Sequence, residues 1–477
     1  MKKNGIYICL AAFGAALLSF WLISRSGDTY LNSIPSDSRA LFEINFRQIT
    51  EQTDVDLASV FSEILSEENV EVGLNMSKPI LGFYMQNGYL GLVAQISDAS
   101  ALEGTLQQRG YEIDIQRGLY WCVLENWLLC FDNDKLLLLG PGALSDQDAL
   151  RIEMHKLMEQ DECESPLLTM LQERQGMVKS VADLSLLSDA DSQAKFKDLS
   201  AKIPQNELFL FASLNAEDKE ISLSSEVITD NDSILAIFNE MNATFHEFEG
   251  THQSAIVLNS LFWTGMNITG DKLLEQLREI PDMRTTLLAL NMCVDADMMF
   301  KSIDGDVTLS VPQVSLLSPP SFLLRAKLGN TDFLQNVDDW KTGVSVDAGV
   351  DFQEYSPTDF SLKYKQDRYY FGVYEEHLYL TNDKDIVTKL KNESSLPDVL
   401  PDTNDCRIYA TLDASRMLKL VSSYLLWLGA PPAFYELLDA VKCVNLKLHD
   451  AQHYEIELLF DDNISDLVSR TLESNPE

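Results

Sequence analysis

The hydrophobic pattern of this chain opens with one long apolar run, from Ile6 to Ile23, and continues as short strands and helices. Lys2 and Lys3 precede the run, and Arg25 follows it. About 17–25 apolar residues span a bilayer as a helix, whereas a cleaved signal has an apolar centre of about 7–15. The pattern predicts an uncleaved transmembrane anchor within residues 1–27, with a cytoplasmic N-terminus because the positive charges lie there. A buried core helix is the alternative.

Beyond the anchor, an Ile-Pro or Leu-Pro pair stands before a short apolar segment four times. The pairs are Ile34-Pro35, Ile203-Pro204, Ile280-Pro281 and Leu400-Pro401. Proline lacks an amide hydrogen and restricts the residue before it, so it suits the start of a strand better than its centre. Each pair is therefore predicted to open a folding unit with a strand.

The segments after three of these pairs alternate between two faces, which is typical of β-strands. The residues that share one face in each segment are Ala40, Phe42, Ile44 and Phe46, then Leu208, Leu210, Ala212 and Leu214, and finally Ile408, Ala410 and Leu412. The third pair is followed by a predicted strand that ends at Asn291. The acidic stretch Asp161–Gln205 is predicted to be a helical connector rather than core.

The order of elements after Pro35 recurs after Pro281. Each region contains strands, a helix and a three-stranded meander whose turns are rich in Asn, Asp and Glu. The predicted meander strands are 119–124, 127–131 and 135–139 in the first copy, and 360–364, 369–374 and 378–381 in the second. Helices are predicted near 99–109, 295–301 and 384–391.

These patterns predict an α+β fold with duplicated mixed or antiparallel sheet units, interspersed helices, two pseudo-repeated lobes and one N-terminal transmembrane helix. The first lobe is residues 28–280, and the second is 281–477. The predicted parts are a long unit 28–160, a connector 161–202, a short unit 203–280, a long unit 281–399 and a short unit 400–477.

The charged residues are strongly unbalanced, because 74 acidic and 36 basic side chains give a net charge of −38. Such a field repels the phosphates of nucleic acid and favours cations and basic partners. Hydrophobic residues make up 45% of the chain. That share is enough for about two to four folded domains at this length. We therefore predict a folded, acidic protein that does not bind nucleic acid.

The seven cysteines include no CxxC pair. Cys122 and Cys130 lie on neighbouring strands of the first meander, on opposite faces of the predicted hairpin. We therefore predict that no disulfide joins them.

Motifs for catalysis and metal binding are few. His246 and His252 lack the four-residue spacing of a zinc-protease helix, and His449 and His453 have it but are predicted to flank a hairpin turn. The segment Asp304-Gly305-Asp306 lacks the further acids of a calcium loop and is predicted to form a helix-to-strand turn. Phosphate-binding glycine loops and nucleophile elbows are absent. The sequence predicts no catalytic, metal or cofactor site.

One segment offers a candidate binding surface. Residues 417–428 are apolar but too short to cross a membrane, and an amphipathic stretch follows them to Val444. A helix that is hydrophobic on most faces is usually core. The alternative is an apolar groove for a lipid or a partner, and its candidate residues are Leu420, Tyr424, Trp427 and Phe434.

Three segments carry a resemblance to a known family: Tyr30-Leu-Asn-Ser-Ile34-Pro35, Ser302-Ile-Asp304-Gly305-Asp306-Val307 and Leu378-Tyr-Leu380-Thr-Asn382-Asp383. The chain resembles uncharacterised envelope proteins of the Bacteroidota that are described as a domain of unknown function. Members often resemble lipoproteins, but here Cys9 lies near the start of the apolar run rather than at its end, so no lipid anchor is predicted. The resemblance implies a cell-envelope protein and supplies no activity or site residues.

The leading hypothesis is a non-enzymatic cell-envelope protein, held in the membrane by Ile6 to Ile23, whose periplasmic body is a scaffold or interaction surface for an envelope partner. The second hypothesis is a periplasmic receptor for a lipid or hydrophobic peptide. The third is an envelope hydrolase that uses dispersed carboxylates.

Overall fold

A computed structural model of the chain describes residues 29–53, 73–142, 147–188, 206–250, 254–291, 294–315, 318–343, 350–364, 366–392, 403, 405–419 and 439–467. The predicted anchor from Ile6 to Ile23 lies outside these ranges. Among the described residues, no helix is both long enough and apolar enough to cross a membrane.

The chain divides into two compact units, Met1–Asn215 and Ala216–Glu477. Helices alternate with strands in both, and the strand pairs within each unit are antiparallel. The predicted α+β class with antiparallel sheets is thus confirmed. The predicted lobe boundary at residue 280 lies inside the second unit, and the two-lobe repeat stays a prediction.

The strands of the first unit are β1 (Ser38–Ile44), β2 (Ile80–Met85), β3 (Leu90–Gln95), β4 (Ile113–Gln116), β5 (Leu119–Leu124), β6 (Trp127–Phe131), β7 (Lys135–Gly140), β8 (Val178–Asp183) and β9 (Leu208–Glu217), whose last two residues belong to the second unit. They form an antiparallel sheet in the order β9–β8–β1–β2–β3–β7–β6–β5–β4. The predicted first meander is confirmed as β5, β6 and β7, and β4 extends it by one strand.

The helices of the first unit are α1 (Phe46–Thr53), α2 (Ala99–Gln108), α3 (Gln147–Met158) and α4 (Pro166–Gln172). The side chain of Asp98 caps α2 by accepting hydrogen bonds from the amides of Ser100 and Ala101. Leu102 and Leu106 of this helix pack into the core with Phe131 of β6. The helix therefore covers one face of the meander.

The prediction of a helical connector over Asp161–Gln205 was wrong where β8 lies. This strand pairs with β1 on one side and with β9 on the other, and its Val181 is fully buried. The strand is only six residues long and lies in an acidic stretch, so its alternation of buried and partly exposed side chains is difficult to recognise in the sequence. Its two neighbours in the sheet supply the hydrogen bonds that make it a strand.

The predicted alternation in β1 is present, but the opposite face is the buried one. Leu41 is 1% exposed, whereas Phe42, on the face that carries Ala40 and Ile44, is 39% exposed. The buried face also carries Glu43, whose carboxylate lies 3.1 Å from Lys179 Nζ of β8. A charged residue on the core side is tolerated here because its partner lies directly opposite in the register.

Cys122 and Cys130 lie on opposite faces of the β5–β6 pair, as predicted. Cys122 stands opposite Leu129, and Cys130 stands opposite Trp121. Both thiols are free and buried.

The strands of the second unit are β10 (Glu220–Thr229), β11 (Phe245–His246), β12 (Phe262–Thr269), β13 (Ile303–Ser315), β14 (Ser318–Leu328), β15 (Val350–Ser356), β16 (Asp359–Tyr364), β17 (Asp367–Tyr374), β18 (His377–Thr381), β19 (Ile408–Asp413), β20 (Val441–Leu448) and β21 (His453–Phe460). The sheet order is β10–β21–β20–β19–β12–β13–β14–β18–β17–β16–β15, and β11 pairs with the end of β12. The second predicted meander is confirmed as β16, β17 and β18.

The helices of the second unit are α5 (Asp232–Thr244), α6 (Ala255–Leu258), α7 (Gly270–Glu279), α8 (Pro281–Asn291), α9 (Ala296–Lys301), α10 (Val337–Gly343) and α11 (Lys384–Asn392). The predicted strand after Pro281 was wrong, because this stretch is α8. Proline is favoured at the first position of a helix. The hydroxyls of Thr285 and Thr286 donate to the carbonyls of Pro281 and Asp282, one turn earlier. These bonds accommodate two β-branched residues in a helix.

Candidate functional site

The most prominent surface of the second unit is a row of large apolar side chains across three strands. Leu223 of β10 stands opposite Ile456 of β21, and Ile456 stands opposite Leu446 of β20. Leu223 is 37% exposed, and Leu446 and Ile456 are each 36% exposed. We call these three residues the apolar row. Residues that face each other across antiparallel strands lie on one side of the sheet, so the row is continuous.

The neighbouring positions on this face are also apolar. The next rung contains Ile221, Leu458, Val444 and Leu412, and all four are partly exposed. Farther along the same sheet face, Ala326 of β14 and Leu378 of β18 are buried in a cluster with Phe333 and Trp340. Side chains on this face are therefore buried beneath helical elements at β14 and β18, and they become partly exposed toward β10.

The opposite face of β20 and β21 is polar and buried. Glu457 is 8% exposed, accepts a 3.1 Å hydrogen bond from Asn445 Nδ2 and forms an ion pair with Lys447. Burial by itself would lower the pKa of Lys447, but the hydrogen bond and charge of Glu457 outweigh it and raise that pKa. Glu457 thus has two polar partners on this face, although Asn445 Oδ1 is buried without a hydrogen bond, and the large apolar side chains of the opposite face are the ones partly exposed.

The core beside this polar face is aromatic. Trp263 of β12 and Tyr409 of β19 have ring centroids 5.0 Å apart, and both pack with Phe248. Burial is the main cause that raises the pKa of the Tyr409 hydroxyl. These tilted aromatic rings pack side by side on β12 and β19 and so add to the pairing of the two strands.

A second polar cluster fastens α11 to the meander. The carboxylate of Asp359 accepts hydrogen bonds from Tyr379 OH at 2.6 Å and Ser356 Oγ at 2.5 Å, and it pairs with Lys391. Burial alone would raise the pKa of Asp359, but the three donors outweigh it and lower that pKa. Because the carboxylate takes all three donors, the cluster joins structural elements and leaves no free nucleophile–base pair.

The predicted helix-to-strand turn at Asp304-Gly305-Asp306 was wrong, because all three residues lie within β13 and pair with β12. Gly305 has the unusual backbone angle that was predicted, φ 129°, and it lies where the register between β13 and β14 shifts. Asp306 accepts hydrogen bonds from the amides of Glu249 at 3.1 Å and Gly250 at 2.8 Å. Burial raises the pKa of Asp306. Its oxygens therefore anchor the loop after β11 and are not arranged around a cation.

The histidines of the sequence analysis are separated. His246 Nε2 lies 2.8 Å from Thr269 Oγ1, and His252 lies outside the described residues. His449 and His453 flank the β20–β21 hairpin, as predicted, and the amide of His449 donates to the carbonyl of His453. Within the described ranges, no three His, Cys, Asp or Glu side chains are grouped to hold a metal ion.

The candidate groove residues Leu420, Tyr424, Trp427 and Phe434 all lie outside the described residues, so this groove stays a prediction. The apolar row was missed in the sequence. Alternation in β10, β20 and β21 identifies a face in each strand, but only the pairing of strands far apart in sequence makes one surface of them.

A family model, described as Domain of unknown function (DUF4836), matches residues 34–413. No curated protein sequence matches the chain. Among solved structures, crystal form IV of TP0453 is 14% identical with a TM-score of 0.28, and the match covers 45% of this chain and 86% of that one. Crystal form I of TP0453 is 12% identical with a TM-score of 0.29 and the same coverage.

Proposed function

We propose that this protein, which belongs to the DUF4836 family of domains of unknown function, is a membrane-anchored envelope protein with a non-enzymatic role. In this role it binds a partner protein. The apolar row of Leu223, Ile456 and Leu446 is the proposed binding surface. This proposal keeps the leading hypothesis of the sequence analysis and assigns it a surface.

The anchor and the location belong to the proposal. They are supported by the apolar run from Ile6 to Ile23 with Lys2 and Lys3 before it. A span of this length with positive charges on its N-terminal side orients the body away from the cytoplasm. The body would then lie in the periplasm and meet envelope proteins there.

The single observation that carries the binding role is the half-exposed apolar row. Large contiguous apolar surfaces on soluble units commonly mark interaction sites. Small-molecule sites are concave, whereas a row across three paired strands follows the sheet surface, which suits the apolar face of another protein. With 74 acidic against 36 basic side chains, the favoured partner has a basic rim around that face.

The test places a photo-crosslinking amino acid at Leu446 of the full-length protein in its native membranes. The matched control position is Leu288 of α8, which is 63% exposed but belongs to another surface. We expect one near-stoichiometric protein adduct from position 446 and none from position 288. The adduct should disappear in Ile456→Glu and persist in Leu288→Glu.

The captured protein is then purified and titrated against the full-length chain. We expect Ile456→Glu to weaken binding at least tenfold, and salt to weaken it further because the rim is electrostatic. Equal adducts from both positions, or unchanged binding by Ile456→Glu, would refute the proposal. A co-purifying lipid lost only in Ile456→Glu would instead favour the second hypothesis, a receptor for a lipid or hydrophobic peptide.

A further inference from the structure

The first unit contains a pocket whose charge is opposite to that of the whole chain. It lies between the β4–β5 hairpin and α3 and has a volume of about 590 Å³. Its cationic lining residues are Arg117, Arg151 and Lys156, His155 lies beside them, and Glu159 is the one acidic residue of its described lining. A local cluster of cations in a chain of net charge −38 is not explained by composition.

Arg117 reaches the pocket from a turn that arginine does not favour. Arg117 and Gly118 form the two-residue connection of the hairpin, with φ of 54° and 81°. Such turns prefer Asn-Gly or Asp-Gly, because a bulky side chain at positive φ is strained. An arginine at this position contributes a cation to the pocket at a conformational cost.

Arg151 is held in place by an aromatic ring. Its guanidinium lies 5.1 Å from the centroid of Trp121, which is 4% exposed. A guanidinium stacked on a ring keeps its hydrogen-bond donors directed to the side. Among the described residues, neither Arg151 nor Arg117 forms an ion pair with a carboxylate. Two arginines thus retain donors for a ligand.

Helix α3 brings the other groups to the same place. Leu150, Met154 and Leu157 bury one side of the helix, and the adjacent side carries Arg151 and His155 one turn apart. His155 Nδ1 lies 3.3 Å from Glu159, while its Nε2 is buried and makes no hydrogen bond. Arg151 and His155 both belong to the pocket lining, so α3 contributes an arginine and a histidine to it.

The pocket also has an apolar side. Trp121 lies in its lining, and so does Ile152, a large aliphatic side chain that is 72% exposed. Arginine forks match the oxygens of phosphate, and several cations together suit a dianion better than a single carboxylate. The apolar residues beside them would contact the part of the ligand that carries the phosphate.

We infer that this pocket binds a phosphate group carried on an apolar body, with Arg117 and Arg151 as its principal ligands. The phosphate belongs either to a lipid headgroup or to a water-soluble phosphate compound. This inference is independent of the apolar row, which lies in the other unit.

The test is calorimetric titration of the full-length chain in uncharged detergent. One arm adds inorganic phosphate, the second adds micelles containing phosphatidic acid, and the third adds micelles containing diacylglycerol with the same acyl chains. Binding of free phosphate indicates a soluble ligand. Binding of phosphatidic acid alone, without diacylglycerol, indicates a lipid headgroup. Either result supports the pocket if the variants respond as described next.

Arg151→Gln and Arg117→Gln should each weaken binding roughly tenfold to 100-fold, the loss expected for a charge-assisted hydrogen bond. Arg109→Gln is the matched control, an exposed arginine after α2, and should leave the affinity unchanged. Because Arg117 lies in an exposed turn, its variant keeps the fold even if Arg151→Gln does not. No binding in any arm, or equal binding by Arg117→Gln and wild type, would overturn the inference.

Discussion

Replacing Lys179 with methionine removes the positive charge that balances Glu43 inside the first unit. Both side chains are 9% exposed, and their charged atoms are 3.1 Å apart. The Lys179 ammonium also donates to the carbonyls of Leu171, at 3.1 Å, and Arg174, at 3.2 Å, which lie at and just after the end of α4. One cation therefore joins β1, β8 and the C-terminus of α4.

At this distance, with an effective dielectric constant of about 20, the gross attraction is about 5 kcal/mol. Desolvation of both charges offsets much of it, so the net value of the intact pair is small. Lys179→Met alone leaves the carboxylate buried without a partner, and we expect unfolding free energy to fall by about 3–5 kcal/mol. The double variant with Glu43→Leu removes both charges and should recover at least about half of that loss.

The assay is urea unfolding of the single and double variants, with hydrogen exchange of the β1 and β8 amides to assign the loss to the first unit. Lys156→Met is the control, because Lys156 is 74% exposed and pairs with Glu153 on the surface. It should change stability by less than about 0.5 kcal/mol. A loss below about 1 kcal/mol for Lys179→Met, or additive losses in the double variant, would refute this reasoning.

Four further predictions concern other parts of the chain. Asp359→Asn should lower the free energy of unfolding by about 1–3 kcal/mol at pH 7. The pKa of Asp359 in the folded protein lies below its ordinary 3.8, so the stability difference between wild type and variant should shrink as pH falls below that value. Denaturant titrations at several pH values measure this difference, and a difference that stays constant would contradict the prediction. Arg117→Asn should raise thermal stability by up to about 1 kcal/mol while weakening phosphate binding, and a loss of stability would contradict the strained turn. Gly91→Ala should cost about 1–3 kcal/mol, because a Cβ there would meet the buried Phe83 ring at 1.9 Å. Gly104→Ala, with open space around it in a helix, should stabilise by about 0.5–1 kcal/mol in the same melts.

Local patterns in the sequence were sufficient to predict several elements. The strands of both meanders and the helix after Asp98 lie where turn residues and capping residues place them. These signals depend on interactions within a few residues, so they do not depend on which distant segments pack together. The general class, antiparallel sheets with interspersed helices, follows from them.

Two elements differ from the sequence-based prediction because the local pattern was compatible with more than one structure. Residues after Pro281 were predicted as a strand but form α8, and the acidic stretch before β9 contains β8. Proline suits the start of either a helix or a strand, and six residues are too few for alternation alone to identify a strand. Pairing with β1 and β9 decided the case of β8, whereas the helix after Pro281 is supported by the local hydrogen bonds of Thr285 and Thr286.

The sequence by itself determined which residues alternate within each strand, where most turns fall and how acidic the chain is. Only the tertiary structure decided which face of β1 is buried, that Leu223, Ile456 and Leu446 lie side by side, and that Arg117 and Arg151 line one pocket. The physical reason is the sequence separation over which each interaction acts. Backbone geometry and side-chain alternation are set by near neighbours, whereas burial and charge clusters depend on which distant strands and helices pack together.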